Sequence, residues 1–372
     1  MSSDILIIGG GVIGLSIARE LHKRGSRSIC VVEKGITGRE SSWAAAGMLG
    51  PQAEAEEFGE LFDLCSASRD LYPKFAAELL DDTGIDIELE RSGTLSLAFT
   101  DKDSAELMVR HRQQRDAGLN IELLSAEEVQ KFEPCVSASV QMGLFFANDW
   151  QVENRRLVEA LRRYAELNGI EIREHTYVNA VAVVDGRVTG VETDSGTIHA
   201  KNTVLATGAW TSLIKLGHSE MPLAVEPVRG QMISFRTRPG QFRHVISSRR
   251  GYLVPRVDGR VLAGSTTERV GFANEVTDEA FRELRQMASE ISPFLNDEPE
   301  DAWSGLRPYS PDGYLLLGRL EGIEGLMIAT AHYRNGILLA PLTAEIVASD
   351  LTDGTVSEHL RTFGVDVLSK SV

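Results

Sequence analysis

The alternation of apolar and polar positions divides the chain into units. Over residues 4–33 it predicts strand, helix and strand. Ile5-Leu6-Ile7-Ile8 is an uninterrupted apolar run, the pattern of a short strand buried on both faces. Gly9, Gly10, Gly11 and Gly14 follow as a turn. Ile13, Ile17 and Leu21 then recur at helical spacing until Gly25. Ile29–Val32 is a second apolar strand with Glu33 at its end.

Residues 36–50 form a loop rich in Gly, Ser and Ala, and 60–80 and 101–117 are helical by period. Ser125-Ala126-Glu127-Glu128 has the form of a capping box. Glu153–Asn168 is an amphipathic helix stopped by Gly169. Strands return over 171–205, where Asp185-Gly186 is a two-residue hairpin signal, and again over 221–267. Thr277–Ser292 is a helix, Leu315–Leu317 and Met327–Ala329 are short strands, and Gly336–Leu351 is the last helix. No repeat or low-complexity linker interrupts this order, so the chain is expected to cross between two interleaved domains more than once.

The first unit carries chemistry. Gly9-x-Gly11-x-x-Gly14 has the dinucleotide spacing: one glycine for the tight turn, one for close approach of backbone to pyrophosphate, one for close packing of helix on strand. The pyrophosphate would rest on the N–H groups of the helix N-terminus. Glu33 can accept hydrogen bonds from a ribose 2′-OH, and its charge disfavours a 2′-phosphate. These residues leave FAD and NAD both open. No second GxGxxG exists, which argues against a flavoenzyme reduced by NAD(P)H through a second dinucleotide fold.

Composition narrows the classes further. The net charge of −16 leaves no basic face for nucleic acid or for an anionic membrane. No stretch approaches the ~20 apolar residues of a membrane span, and Ile5–Ile8 lacks the basic leader of a signal sequence. Cys30, Cys65 and Cys135 are odd in number and widely spaced, so they are expected as packing residues in a reducing cytoplasm, with no metal site.

Six blocks decide between the cofactors. They are Gly9–Gly14 with Glu33; Arg39-Glu40-Ser41-Ser42-Trp43-Ala44-Ala45-Ala46-Gly47-Met48-Leu49-Gly50; Ala206-Thr207-Gly208-Ala209-Trp210; Gly251-Tyr252-Leu253-Val254-Pro255-Arg256; Trp303-Ser304-Gly305-Leu306-Arg307-Pro308 with Pro311-Asp312-Gly313; and His332-Tyr333-Arg334-Asn335-Gly336-Ile337-Leu338-Leu339-Ala340-Pro341. Through them the chain resembles the D-amino-acid-oxidase superfamily of flavoproteins, and within it the glycine-oxidase branch. Pattern and resemblance together imply an α/β fold. A Rossmann-like FAD-binding domain with a parallel sheet (1–80, 150–215 and 300–372) would be interleaved with an α+β substrate-binding domain on a largely antiparallel sheet with helices (81–149 and 216–299).

The resemblance implies noncovalent FAD, since no cysteine follows Cys135 to carry a covalent link of the monomeric sarcosine oxidase kind. Gly9, Gly11, Val12, Ile13, Gly14, Glu33, Lys34, Ser41, Ser42, Ala46, Gly47 and Met48 would hold it, with Val178, Ala206, Thr207, Gly208 and Trp210. Arg334, Asn335, Gly336, Ile337 and Leu338 would meet the flavin ring, where a helix start supplies N–H donors and about half a positive charge. Arg307 would pair with the substrate carboxylate through its planar fork, supported by Tyr252 and Arg334, and these three are the catalytic candidates. Met48 and Arg250 would edge the substrate pocket. An imidazole is expected near Arg250 in the branch, and Thr266-Thr267 stand where a larger apolar residue is expected. His175 and His332 read as packing residues.

The implied reaction is oxidative deamination of glycine, sarcosine or D-alanine to an imine and then an oxo acid, ammonia and hydrogen peroxide, with oxygen as the partner. The branch also implies a homotetramer and a role in making the thiamine thiazole. Two other readings share these features: a D-amino-acid or opine dehydrogenase with another electron acceptor, and a flavin subunit of a multi-subunit amine oxidoreductase.

Overall fold

The computed structural model describes residues 2–55, 57–363 and 365. Two large sheets organise them. In the first, the strands Glu171–Arg173, Ile29–Val32, Ser2–Ile8, Gly196–Leu205 and Leu326–Thr330 run parallel in that spatial order. The Ile5–Ile8 part of the N-terminal strand is wholly apolar because both its faces are covered. Ile5 and Ile7 face the helices Val12–Lys23, Asn154–Leu167 and Gly336–Asp353. Leu6 and Ile8 face Val178, Val181, Val188, Val191 and Ile198 on the other side. The tight Asp185-Gly186 turn, with φ of 50° and 74°, forces Val178–Val184 and Arg187–Thr193 antiparallel, so a meander extends the parallel centre.

The second sheet has eight strands. Their order is Asp301–Tyr309, Glu226–Arg236, Arg260–Gly264, Gly251–Pro255, Val245–Ser248, Thr94–Ala98, Met142–Phe146 and Glu122–Ser125. All neighbours are antiparallel except Val245–Ser248 with Thr94–Ala98. The helix Asp278–Ile291, capped by the Thr277 hydroxyl, lays Leu284, Met287, Ala288 and Ile291 on this sheet. Residues 300–372 do not all stay with the first sheet. The strand Asp301–Tyr309 pairs with Glu226–Arg236 from Tyr309↔Glu226 to Asp301↔Ser234, and that register carries Arg307 onto the second sheet.

Residues 36–50, read from sequence as loop, contain a helical turn Ser41–Ala44 and the short strand Met48–Leu49 paired to Trp150–Gln151. Ala44, Ala46 and Trp43 pack on Met232, Val254, Leu262 and Trp303, so this segment joins the two sheets. A buried ion pair reinforces the seam: Arg256 and Glu153, 2% and 3% exposed, meet at 3.2 Å, and Arg256 also donates to the Ala46 carbonyl at 2.8 Å.

Candidate active site

A large cleft, about 1660 Å³ with its open solvent-filled mouth included, runs from the Gly9 turn to the seam between the sheets. At its first end the wall is backbone. Gly9 has φ +109°, and a Cβ there would lie 2.3 Å from the Ala206 carbonyl oxygen. A Cβ on Gly14 would lie 2.0 Å from the Gly9 oxygen. The two glycines let strand, turn and helix close on one another. Gly11 caps Val12–Lys23 with no side-chain acceptor, and the first turn carries no acidic residue. Val12 N–H reaches Ser42 Oγ at 3.0 Å. The remaining donors of that turn are left for an anion.

Glu33 is 7% exposed and accepts from the N–H groups of Gly10 and Gly35, each at 2.9 Å. Its oxygens keep lone pairs for further donors such as ribose hydroxyls. Lys34 pairs with Glu40 and sits 3.9 Å over the Trp210 ring. Val178, Ala206, Thr207 and Gly208 complete this end, with Thr176 and Tyr177 beside them.

In the middle, Ser41, Ser42, Ala46, Gly47 and Met48 line one wall. Gly47 has φ +72°, and a Cβ there would fall 2.1 Å from the Val152 oxygen. The opposite wall is the start of the helix Gly336–Asp353, where Asn335 makes no side-chain cap and the first turn has no acidic residue. Gly336, Ile337 and Leu338 line the cavity there.

The far end is built from side chains of separate segments: Tyr252 and Arg307 from the second sheet, Arg334 from the loop before the helix Gly336–Asp353, and Met48; that helix, expected from sequence to be the last, is followed by the short helix His359–Phe363. Arg307 donates to Ser265 Oγ at 2.7 Å and to the Thr266 carbonyl at 3.2 Å. Among the described residues no carboxylate forms an ion pair with it. Arg334 is different. Glu54 holds its Nε at 3.2 Å, and that negative charge raises the guanidinium above its usual range. Among the described residues Tyr252 donates only to Met232 Sδ, at 3.7 Å.

The cavity therefore gathers every residue assigned above to the cofactor or the substrate except Gly14 and Arg250. Gly14 lies beneath the turn as a packing position. Arg250 is not among the lining residues: Glu290 draws its guanidinium away at 3.2 Å, and it rests over Phe99. Thr266 enters through its carbonyl, while its hydroxyl bonds Glu268 and the Gln231 N–H. His175 lies outside the cavity lining, its N–H bonded to the Gly35 carbonyl. His332 does line the cavity, bonded to Thr343 Oγ1 at 3.1 Å, and burial pushes its imidazole down to about 3, so it is neutral.

Sequence reasoning missed Glu54, Met232, Tyr333, Gly230 and Gly305. The glycines left a signal, since glycine inside a strand marks close approach. A Cβ on Gly230 would lie 2.2 Å from Arg307 Nη1, and one on Gly305 would lie 2.5 Å from Ala44 Cβ. Glu54 left none, being one acidic residue in a polar stretch.

Residues 4–349 match the model of the FAD dependent oxidoreductase family. The chain belongs to that family. The uncapped helix starts and the glycine cradles of this FAD-dependent oxidoreductase fit FAD laid along the cavity. It is 36% identical to the glycine oxidase of Pseudomonas aeruginosa, over 95% of this chain and 96% of that one. It is 37% identical to the bifunctional protein ThiO/ThiG of a Synechocystis species, over 97% of this chain; the chain spans about half, 53%, of that relative's length. The crystal structure of glycine oxidase from Bacillus cereus superposes with a TM-score of 0.90 at 32% identity, covering 96% of this chain and 97% of that one.

Proposed function

We propose that this oxidoreductase deaminates glycine and related small amines, sarcosine and D-alanine among them. The observation that carries the reading is Arg307: a cation at the end of the cavity, free of any carboxylate partner among the described residues. Its planar fork suits a substrate carboxylate in two-point contact. The Tyr252 hydroxyl, held among the described residues only by a weak sulfur acceptor, is free to donate to the same group. Arg334, neutralised by Glu54, adds shape more than net charge.

FAD, when bound, supplies the acceptor for the hydride and passes the electron pair to oxygen, giving hydrogen peroxide. The chain supplies orientation. Fixing the carboxylate leaves only a small amine and one α-carbon to be aligned, and positioning of that kind contributes through entropy already lost on binding. No acid–base dyad is needed. The amine binds neutral, its lone pair forms the C=N bond as hydride leaves the α-carbon, and the imine hydrolyses to the oxo acid and ammonia, or methylamine where the substrate is sarcosine. His332, neutral and spent on Thr343, is not the base.

The name of the Pseudomonas aeruginosa relative, glycine oxidase, supports this substrate class, and we propose that the product serves thiazole formation. We place the enzyme in the cytoplasm as a homotetramer. Among the described residues no helix is long and apolar enough to cross a membrane. The test is a substrate panel on the FAD-loaded chain. Glycine should bleach the flavin without air and release peroxide with it. Bleaching without peroxide would favour a dehydrogenase, and a flavin indifferent to every amine would end the proposal.

A further inference from the structure

The helix Gly336–Asp353 that starts at the cavity carries Pro341 in its second turn. Proline has no N–H, and its ring crowds the carbonyl four residues back, so the Ile337 carbonyl loses its helical partner. That carbonyl is satisfied from another helix: the Tyr72 hydroxyl of Glu60–Thr83 donates to it. The next rung is braced from the same helix. Ser68 Oγ donates to the Leu338 carbonyl at 2.6 Å, and the Leu342 N–H reaches Ser68 Oγ at 3.4 Å. Ser68 and Tyr72 stand four residues apart on one helix face, both with no exposed surface.

The two hydroxyls act on different peptide groups. The carbonyl held by Tyr72 belongs to the peptide whose N–H is that of Leu338. That N–H lies in the first turn, without a helical acceptor, and Leu338 lines the cavity. A donor on the carbonyl of a peptide polarises its N–H, as in any hydrogen-bond chain. The carbonyl held by Ser68 belongs to the next peptide. Its N–H, that of Leu339, is already spent on the Asn335 carbonyl at 2.8 Å.

We propose that Tyr72 is a positioning residue for the flavin edge: through the Ile337 carbonyl it orients and strengthens the Leu338 N–H that the opened helix start presents to the cavity. Ser68 only splints the break. The inference rests on FAD in this cavity and does not depend on which amine is oxidised.

The test is the two-electron reduction potential of the FAD-loaded protein, equilibrated with a reference dye. Y72F should weaken the reduction equilibrium about three- to tenfold, a fall of about 15–30 mV for a two-electron couple. S68A should lower the melting temperature and leave the potential in place. P341A returns a backbone donor to Ile337, so Y72F made in that background should shift the potential less than Y72F alone. A wild-type potential in Y72F, or an equal shift in S68A, overturns the proposal. If Y72F does not fold, P341A is measured alone: a second donor on the same carbonyl should raise the potential, and no change overturns it.

Discussion

The two ends of the cavity are made of different material. The dinucleotide end is a surface of backbone, formed by Gly9, Gly11, Ala206 and Gly208 over the start of one helix. The other end is a ring of long side chains, Tyr252, Arg307, Arg334 and Met48, delivered by segments far apart in the chain. The first surface grips a ligand through dipoles that the fold already fixes. The second depends on a guanidinium crossing the Gly230 backbone to reach its post. A backbone cradle tolerates no added atom, whereas a side-chain ring should lose selectivity before it loses the cofactor.

That contrast can be broken at its hardest point first. Gly14→Val puts a side chain where a Cβ alone would lie 2.0 Å from the Gly9 oxygen, and the turn cannot keep its shape. The protein should purify without stoichiometric FAD, measured by absorbance after denaturation. Full occupancy would show that the cradle is not needed.

Arg307→Ala should keep FAD and lose substrate. Truncating one partner of a desolvated charge pair costs about 2–5 kcal/mol, roughly 30-fold to several thousandfold in kcat/KM, read by peroxide release. Arg307→Lys should recover little, because an ammonium lacks the fork. A protein that bound neither FAD nor glycine after Arg307→Ala would erase the distinction between the ends.

The seam between the two sheets is tested by Arg256→Met, which removes one of the two arginines that pair with buried Glu153. Breaking such a pair costs about 3–5 kcal/mol. The melting temperature should fall and FAD affinity weaken, since the Ala46 carbonyl also loses its donor. Arg260 still reaches Glu153 at 2.8 Å and limits the loss.

A smaller effect concerns the turn that delivers Glu54. Asp149, fully buried, accepts from the N–H groups of Gln52 and Ala53, and burial pushes its carboxyl up from 3.8 to about 7. Arg69 opposes that rise and Glu54 adds to it. The folded protein keeps this proton after the unfolded chain has lost it. Stability attributable to Asp149 is therefore lost as pH rises from about 4 to about 7. Asp149→Asn removes the slope, so the melting temperature of the variant relative to wild type should climb over that range. Smallest of all, Glu54→Gln should change the glycine KM only a few-fold, because a partly exposed ion pair contributes about 0–1 kcal/mol.

The same contrast explains what the sequence disclosed. Backbone sites need glycine at fixed offsets, so Gly9, Gly11 and Gly14 announced the dinucleotide end, and unbroken apolar runs announced the parallel strands around it. Asp185-Gly186 announced the hairpin because two positive φ angles suit few other pairs. Side-chain sites are assembled by tertiary register. Nothing local shows that Asp301–Tyr309 pairs with Glu226–Arg236, or that Arg250 turns to Glu290 while Arg307 turns to the cavity. Resemblance pointed to Arg307 and Tyr252; nearness to Tyr252 in the chain pointed to Arg250, which packs elsewhere. Glu54 was hidden because its role exists only beside Arg334, 280 residues away.

The central claim is that Arg307 selects substrates by their carboxylate. It is tested most directly by titrating the FAD-loaded protein anaerobically with glycine and with methylamine, which differ by that group alone. The account predicts that glycine bleaches the flavin at concentrations at least a hundredfold lower, a difference of about 2.8 kcal/mol. Equal bleaching by the two amines would contradict it.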